Sequence, residues 1–250
     1  MFTGIVQGVG EIVGICGDDD LRTFEIVLPE GFDRGLERGA SVAVNGVCLT
    51  ATTRQDASTW CFDVMLQSLR TTNLSNVAAG RSVNLERAAT ADAEVGGHIL
   101  SGHVDFVSEV AETRSGRGNK LIRFSVPRQY MPYIFARGHI AIDGISLTIA
   151  ETSRIDSWFE IWLIPETRRA TIIDEIGPGY RANIEIERST QVVVDTVRDT
   201  VNRALDERFT ALEAALSRAG LDRDTVFALD QPEEMIETVR KAISRSSRET

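Results

Sequence analysis

Short apolar segments alternate with turn residues along the chain as far as about Arg188. Val42–Val44, Ser82–Leu85 and Ile140–Ile142 are short, apolar and often β-branched, as strands are. Asn45-Gly46 and Asp143-Gly144 are dipeptides that favour tight turns between strands. Many short strands joined in this way are typical of closed barrels, so the pattern predicts a mainly β fold.

The pattern repeats within the chain. Val42–Thr50 matches Ile140–Thr148 at an offset of 98 residues, and at the same offset Trp60 meets Trp158. Further matches follow in the same order: Thr3–Val6 with Ser101–Val104 and, after a slip of one residue, Val83–Glu86 with Ala182–Glu185. Such a long period indicates a duplicated domain. We therefore predict two tandem six-stranded Greek-key β-barrels, residues 1–96 and 97–189, that arose by internal duplication.

The last part of the chain, residues 190–250, has a helical pattern instead. Apolar residues recur there at steps of three and four: Val194, Val197, Val201, Leu205, Phe209, Leu212, Leu216 and Ala219. Gly220 is suited to end this helix. A second helix is predicted from Pro232, with Met235, Ile236 and Val239 on its apolar face.

Composition narrows the function classes. With 27 basic against 37 acidic residues and a net charge of −10, the chain is unsuited to nucleic acid or to an anionic membrane. No apolar run approaches the roughly 20 residues that span a bilayer, and the N-terminus does not read as a signal peptide. Cys16, Cys48 and Cys61 form no Cys-x-x-Cys pair, which favours a reducing cytoplasm. His98 and His103 have no common metal-ligand spacing, so no metal site is expected.

Several motifs together resemble the riboflavin synthase family. They are Met1–Gly8, Asn45–Thr50, Gly96-Gly97-His98 with Ser101-Gly102-His103, Asp143–Thr148 and Leu163–Thr167. The likeness covers residues 1 to about 200. It implies that each barrel binds one lumazine ring, and that two 6,7-dimethyl-8-ribityllumazine molecules are converted into riboflavin and a pyrimidine without a metal or organic cofactor. It also implies a homotrimer held partly by C-terminal helices, with the active site between barrels of different subunits, and a possible association with lumazine synthase.

The resemblance also implies two sets of substrate-binding residues. For the N-terminal pocket they are Gly4, Ile5, Val6, Cys48, Leu49, Thr50, Asp63, Val64, Met65, Leu66, Gln67, Ser68, Gly102, His103 and Val104. For the C-terminal pocket they are Ser146, Leu147, Thr148, Leu163, Ile164, Pro165, Glu166, Thr167 and Arg168, and Arg137 is a further candidate.

Five of the motif residues are candidates for chemistry. Cys48 is either a reactive group or a buried small apolar residue. Ser146 and Thr148 follow a turn, so their hydroxyls serve either the reaction or local pairing. His103 is the candidate base or hydrogen-bond relay, whereas His98 and His139 are expected to be structural. Phe2 is either a lid over the pocket or a core aromatic.

Some residues depart from the family pattern. Gln67-Ser68 stands where Glu-Thr is usual, Arg137 where Lys is usual, and Glu187 where Asp is common. These changes leave two alternatives open: a non-catalytic carrier of lumazine or flavin, and a paralogue that acts on a modified lumazine. Retention of Cys48, His103 and Ser146 favours an enzyme.

Overall fold

The structure is a computed structural model that describes residues 1–18, 20–116, 118–218 and 236–241. The chain divides into two compact units. The first, Met1–Gln191, contains the two barrels, and the second begins at Val192.

The first barrel contains six antiparallel strands closed in the order β1-β2-β5-β4-β3-β6. The strands are β1 (Gly8–Gly17), β2 (Leu21–Val27), β3 (Ser41–Val44), β4 (Val47–Arg54), β5 (Thr59–Met65) and β6 (Arg81–Arg87). Helix α1 (Leu66–Thr71) and a 3₁₀ turn at Asn73–Asn76 lie between β5 and β6.

The second barrel repeats this arrangement in the order β7-β8-β11-β10-β9-β12. Its strands are β7 (Phe106–Gly116), β8 (Asn119–Ser125), β9 (His139–Ile142), β10 (Ile145–Ser153), β11 (Trp158–Leu163) and β12 (Arg181–Ile186). Helix α2 (Pro165–Ala170) occupies the place of α1, and 3₁₀ turns lie at Arg128–Tyr133 and Ile172–Asp174. The predicted tandem barrels are confirmed.

The duplication extends to the irregularities of the sheets. The pairing of β1 with β2 shifts between Ile12 and Gly14, and that of β7 with β8 shifts between Val110 and Glu112. Both shifts fall at equivalent places, and β-bulges of this kind bend a strand around a barrel. Each barrel has its own apolar interior, built on fully buried aromatic residues such as Phe62 in the first and Phe159 in the second.

The register corrects one sequence match. Ile26 pairs with Trp60 in the first barrel, and its equivalent Phe124 pairs with Phe159 in the second. Trp60 therefore corresponds to Phe159 and not to Trp158. The reason is that the one-residue slip falls in the turn before β5 and β11, earlier than the sequence comparison placed it.

A network of buried amides joins the two barrels where their equivalent turns meet. The Asn183 side chain donates to the carbonyl of Asn45 at 2.9 Å, and the Asn84 side chain donates to the carbonyl of Asp143 at 3.0 Å. A Cβ on Gly46 would lie 2.6 Å from the backbone nitrogen of Gly144, so only glycine allows the turns to approach this closely. The barrels are thus fixed to each other by reciprocal contacts.

Helix α3 (Arg188–Arg218) confirms the predicted amphipathic segment. Val197, Val201, Leu205 and Phe209 on this helix are between 45% and 58% exposed. Residues 236–241 are helical, whereas the expected helix start at Pro232 lies outside the described residues. None of the helices that the structure describes combines the length and apolar character needed to span a bilayer.

Candidate active site

Two segments outside the barrel strands cross between the barrels. The segment that follows Met1 runs to the second barrel, where the carbonyl of Gly4 accepts the backbone N–H of Ser146 at 2.8 Å. The equivalent segment after Leu100 runs to the first barrel, where the carbonyl of Gly102 accepts the backbone N–H of Cys48 at 2.9 Å. Each barrel is therefore completed by a segment that precedes the other barrel in the chain.

The side chains of these segments follow the same crossing. Val6 packs against the core of the second barrel, and Val104 packs against the core of the first. The structure therefore regroups the expected pockets. Gly4 and Val6 lie with Ser146 instead of Cys48, while Gly102 and Val104 lie with Cys48 as expected. The family resemblance implied that Gly4 and Val6 belong with Cys48, whereas the hydrogen bond from Ser146 to Gly4 places them at the second barrel.

Ser146 contacts His98, a histidine that the sequence analysis expected to be structural. The Nδ1 atom of His98 lies 2.6 Å from the Ser146 hydroxyl oxygen. His98 is brought there by Gly97, where a Cβ would lie 2.4 Å from the carbonyl oxygen of Thr3 and 2.6 Å from the Cβ of Ser146. The Gly96-Gly97 pair was the available sequence signal, because a backbone this close to its neighbours requires glycine.

The surroundings of His98 keep its ring uncharged. Burial, followed by the charge of the stacked His139 ring, lowers the pKa of His98 from 6.5 to about 4, although Glu187 acts in the opposite direction. The Nε2 atom of His98 is buried without a hydrogen-bond partner in the described chain. A neutral imidazole in contact with a serine hydroxyl can accept its proton, which makes the serine oxygen more nucleophilic.

Cys48 occupies the equivalent place in the first barrel but has different neighbours. A Cβ on Gly102 would lie 2.6 Å from the Cβ of Cys48 and 2.9 Å from the ring of Phe2. Cys48 also packs against a small cluster formed by Phe2, Ala43, Leu100 and Ala141. In the part of the chain that the structure describes, the Cys48 thiol has no hydrogen-bond partner. The two sites are similar in backbone and different in chemistry.

Phe2 is buried between the barrels, whereas the His103 ring is exposed. Phe2 is only 2% exposed, and its backbone pairs with Leu100, so the core-aromatic alternative describes its position. The ring of His103 is exposed, and its backbone N–H is bonded to the Ser101 hydroxyl at 3.3 Å. Arg137 is exposed in the turn before β9, at a φ of 69°.

The remaining expected residues lie beside each site on neighbouring elements. Thr50 pairs with Asp63, which accepts a hydrogen bond from the Thr23 hydroxyl at 2.8 Å. Of the other first-barrel residues, Leu49 is on β4, Val64 and Met65 end β5, and Leu66, Gln67 and Ser68 open α1. Of the second-barrel residues, Leu147 and Thr148 are on β10, Leu163 ends β11, Ile164 caps α2, and Pro165, Glu166, Thr167 and Arg168 are within it. Ile5 is exposed between Gly4 and Val6.

Two charged residues of the expected second-barrel set, Glu166 and Arg168, form ion pairs with neighbouring side chains. Arg168 is bonded to Asp174 at 2.8 Å, and Glu166 is bonded to Arg169.

A cavity of about 570 Å³ lies at the junction of the barrels and is lined by residues such as Asn73, Arg81 and Tyr180. It contains neither Cys48 nor Ser146. No group of three or more metal-ligating side chains comes together among the described residues.

Comparisons with known proteins find the same two repeats and name relatives that share most of the chain. The lumazine binding domain family matches residues 3–88 and 101–187. Riboflavin synthase of Escherichia coli (strain K12) is 46% identical over 198 residues, which are 79% of this chain and 92% of that protein. Riboflavin synthase of Mycobacterium bovis is 38% identical over 189 residues, which are 75% of this chain and 93% of that protein.

A solved structure also shares the tandem barrels. LumP complexed with 6,7-dimethyl-8-(1'-D-ribityl) lumazine aligns with a TM-score of 0.68 at 28% identity, covering 75% of this chain and all of that one. LumP complexed with riboflavin aligns with a TM-score of 0.69 at the same identity.

Proposed function

The chain belongs to the riboflavin synthase family, and from this premise we propose how its two barrels divide the reaction. The function is enzymatic: two molecules of 6,7-dimethyl-8-ribityllumazine dismutate into riboflavin and 5-amino-6-(ribitylamino)uracil, the last step of riboflavin biosynthesis. A four-carbon unit passes from a donor lumazine to an acceptor lumazine. Two similar pockets suit a reaction in which two copies of one substrate meet, because holding both reactants in place lowers the entropic part of the barrier.

The contact between His98 and Ser146 is the observation on which we assign the donor and acceptor lumazines to the two barrels. The reaction needs a nucleophile at C7 of the donor and a base for the C7 methyl group of the acceptor. At 2.6 Å, the neutral His98 ring is placed to accept the proton of the Ser146 hydroxyl as its oxygen attacks. The lowered pKa keeps the ring neutral but also makes it a weaker base than a free imidazole, so the assignment rests on the contact. We assign the donor lumazine to the second barrel, at Ser146, and the acceptor lumazine to the first barrel, at Cys48.

The crossing segments support a revised list of substrate contacts. The site at Ser146 uses Leu147, Thr148, Gly4, Ile5 and Val6, with the end of β11 and α2. The site at Cys48 uses Leu49, Thr50, Gly102 and Val104, with the end of β5 and α1. Backbone groups on such strands can bond the donors and acceptors of a pteridine ring, and small residues let the ring approach.

A homotrimer is part of the proposal. The exposed apolar residues of α3 form one stripe, and such a stripe is buried when helices of several copies pack together. Within the trimer, the first barrel of one copy faces the second barrel of another, so that the two lumazines meet between subunits.

The cellular setting follows from substrate and redox chemistry. Cys16, Cys48 and Cys61 are free thiols, which supports a reducing cytoplasm. Association with lumazine synthase, which supplies the substrate in this family's pathway, completes the proposal, and co-sedimentation of the two purified proteins tests it.

Riboflavin formation from 6,7-dimethyl-8-ribityllumazine alone tests the reaction and the roles together. The purified protein is mixed with the lumazine without metal or cofactor, and the flavin absorbance is followed. We expect steady turnover, with a loss of about 100-fold or more in kcat for Ser146→Ala and for His98→Ala. His103→Ala is the matched control and should retain much more activity. Tight binding of lumazine without turnover would support the carrier alternative instead.

A further inference from the structure

Two buried glutamates near the ends of the last barrel strands hold the crossing segments. Glu86 on β6 is 3% exposed. One of its carboxylate oxygens accepts the backbone N–H of Thr3 at 2.6 Å and the hydroxyl of the same residue at 2.8 Å. The other oxygen accepts the backbone N–H of Gly4 at 3.1 Å. A single side chain thus bonds two successive residues of the segment.

Glu185 on β12 makes the same three bonds to the second segment and is 4% exposed. Its first oxygen accepts the backbone N–H and the hydroxyl of Ser101 at 2.6 and 2.7 Å, and its second accepts the backbone N–H of Gly102 at 3.0 Å. Neither glutamate is paired with a Lys or Arg side chain in the described chain. Buried carboxylates are normally compensated by strong donors, and here those donors all belong to the held segment.

The residue that each glutamate holds lies at the opposite barrel. Gly4, which Glu86 of the first barrel holds, contacts Ser146 in the second. Gly102, which Glu185 of the second barrel holds, contacts Cys48 in the first. Each carboxylate therefore fixes the position of the backbone segment that borders the site in the opposite barrel.

We propose that Glu86 and Glu185 are positioning residues that act crosswise: Glu86 shapes the lumazine site at Ser146, and Glu185 shapes the lumazine site at Cys48. This inference rests on the proposed function, because it takes Ser146 and Cys48 as the two lumazine sites. A glutamate with a merely structural role would instead affect its own barrel, or both sites to the same extent.

The two sites can be separated by NMR of bound riboflavin that carries ¹³C in the methyl group at C8 of its ring. The wild-type protein should show two bound signals. Ser146→Ala should shift one of them and Cys48→Ala the other, which assigns each signal to a barrel. Failure of riboflavin to give these two assignable signals would overturn the proposed sites themselves, and the crosswise roles with them.

With the signals assigned, Glu86→Gln and Glu185→Gln act as matched controls for each other. Loss of the charge weakens three charge-assisted bonds, so we expect Glu86→Gln to weaken riboflavin binding about tenfold at the Ser146 site and less than about twofold at the Cys48 site. Glu185→Gln should give the reverse pattern. An effect on the glutamate's own barrel, or an equal effect at both sites, would overturn the proposal.

A milder pair of variants keeps the test decisive if either glutamine variant fails to fold. Thr3→Val removes the hydroxyl bond to Glu86 and a longer bond of 3.3 Å from the backbone N–H of Ile5. Ser101→Ala removes the hydroxyl bond to Glu185 and the equivalent 3.3 Å bond from the backbone N–H of His103. These losses should weaken binding about threefold, with the same crosswise pattern. Turnover gives a second readout, because a displaced segment should raise KM more than it lowers kcat for these two variants.

Discussion

Replacement of His98 by glutamine should change how stability depends on pH. In the folded protein the pKa of His98 lies at about 4, below the unfolded value of 6.5, because the ring is buried and stacks on His139. The folded state therefore resists protonation at this ring. The stability that the neutral ring contributes is present above pH 6.5 and is lost as the pH falls towards 4. Glutamine does not titrate, so His98→Gln lacks this loss.

The size of the effect follows from the shift. At roughly 1.4 kcal/mol per pKa unit the lowered value corresponds to about 3 kcal/mol, and solvent near the open site reduces this to about 2 kcal/mol. Urea denaturation of wild type and His98→Gln across this pH range measures the difference in the free energy of unfolding. That difference should move by about 2 kcal/mol in favour of the variant between pH 7 and pH 4.

The other titrating groups are present in both proteins, so their contributions cancel in the difference between the two free energies of unfolding. His139 and Glu187 are exceptions, because they interact with His98 directly. His103→Gln is the matched control for the substitution itself, since the His103 ring is exposed. Parallel curves for wild type and His98→Gln would refute the argument that burial holds this imidazole neutral.

Three further outcomes are expected. Burial raises the pKa of Asp143 to about 7. The stability that its protonated form contributes is therefore lost as the pH rises through this value. The melting temperature of the wild type should fall relative to that of Asp143→Asn between about pH 6 and about pH 8. Gly102→Ala should lower the free energy of unfolding by about 2–4 kcal/mol in a urea titration, because its φ is +78° and its Cβ would meet Cys48. Gly39→Ala is the control: its φ is +90°, but the space around it is open, so it should lower the free energy of unfolding by only about 1 kcal/mol. Val197→Asp on α3 should reduce the mass measured by light scattering to that of a single chain, and an unchanged trimer would show that this stripe is not the interface.

The sequence was sufficient for the barrels because their signals are local. Turn dipeptides such as Asn45-Gly46 and Asp143-Gly144 set positive φ angles of 44–79°, and the repeat placed them in equivalent hairpins. The slip near Trp60 was misplaced because one tryptophan resembles another in sequence, whereas the register depends on which partner strand each residue faces. Local patterns determine strands, and pairing determines their alignment.

The site was less accessible from sequence because it depends on contacts between distant segments. The bond from Ser146 to the carbonyl of Gly4 uses backbone groups, which leave no mark on the residue types. His103 was the candidate from its motif, and His98 was expected to be structural. The contact of His98 with Ser146 depends on how Gly97 packs against Ser146, which residue types alone do not reveal. Glu86 and Glu185 were visible as a matched pair in the repeat, but their function required knowledge of what they hold.

A symmetric frame with one asymmetric contact suits a reaction between two identical molecules. Duplication supplies two sites with the same backbone bond, and the proposed reaction uses two copies of one substrate. The reaction nevertheless needs the two copies to behave differently, one being attacked and the other losing a proton. The crossing segments reproduce the same backbone bond at Ser146 and Cys48, so the frame cannot distinguish donor from acceptor. His98 contacts Ser146 and not Cys48. In the proposed reaction, this chemical difference between otherwise equivalent sites is sufficient to give the two identical substrates different roles.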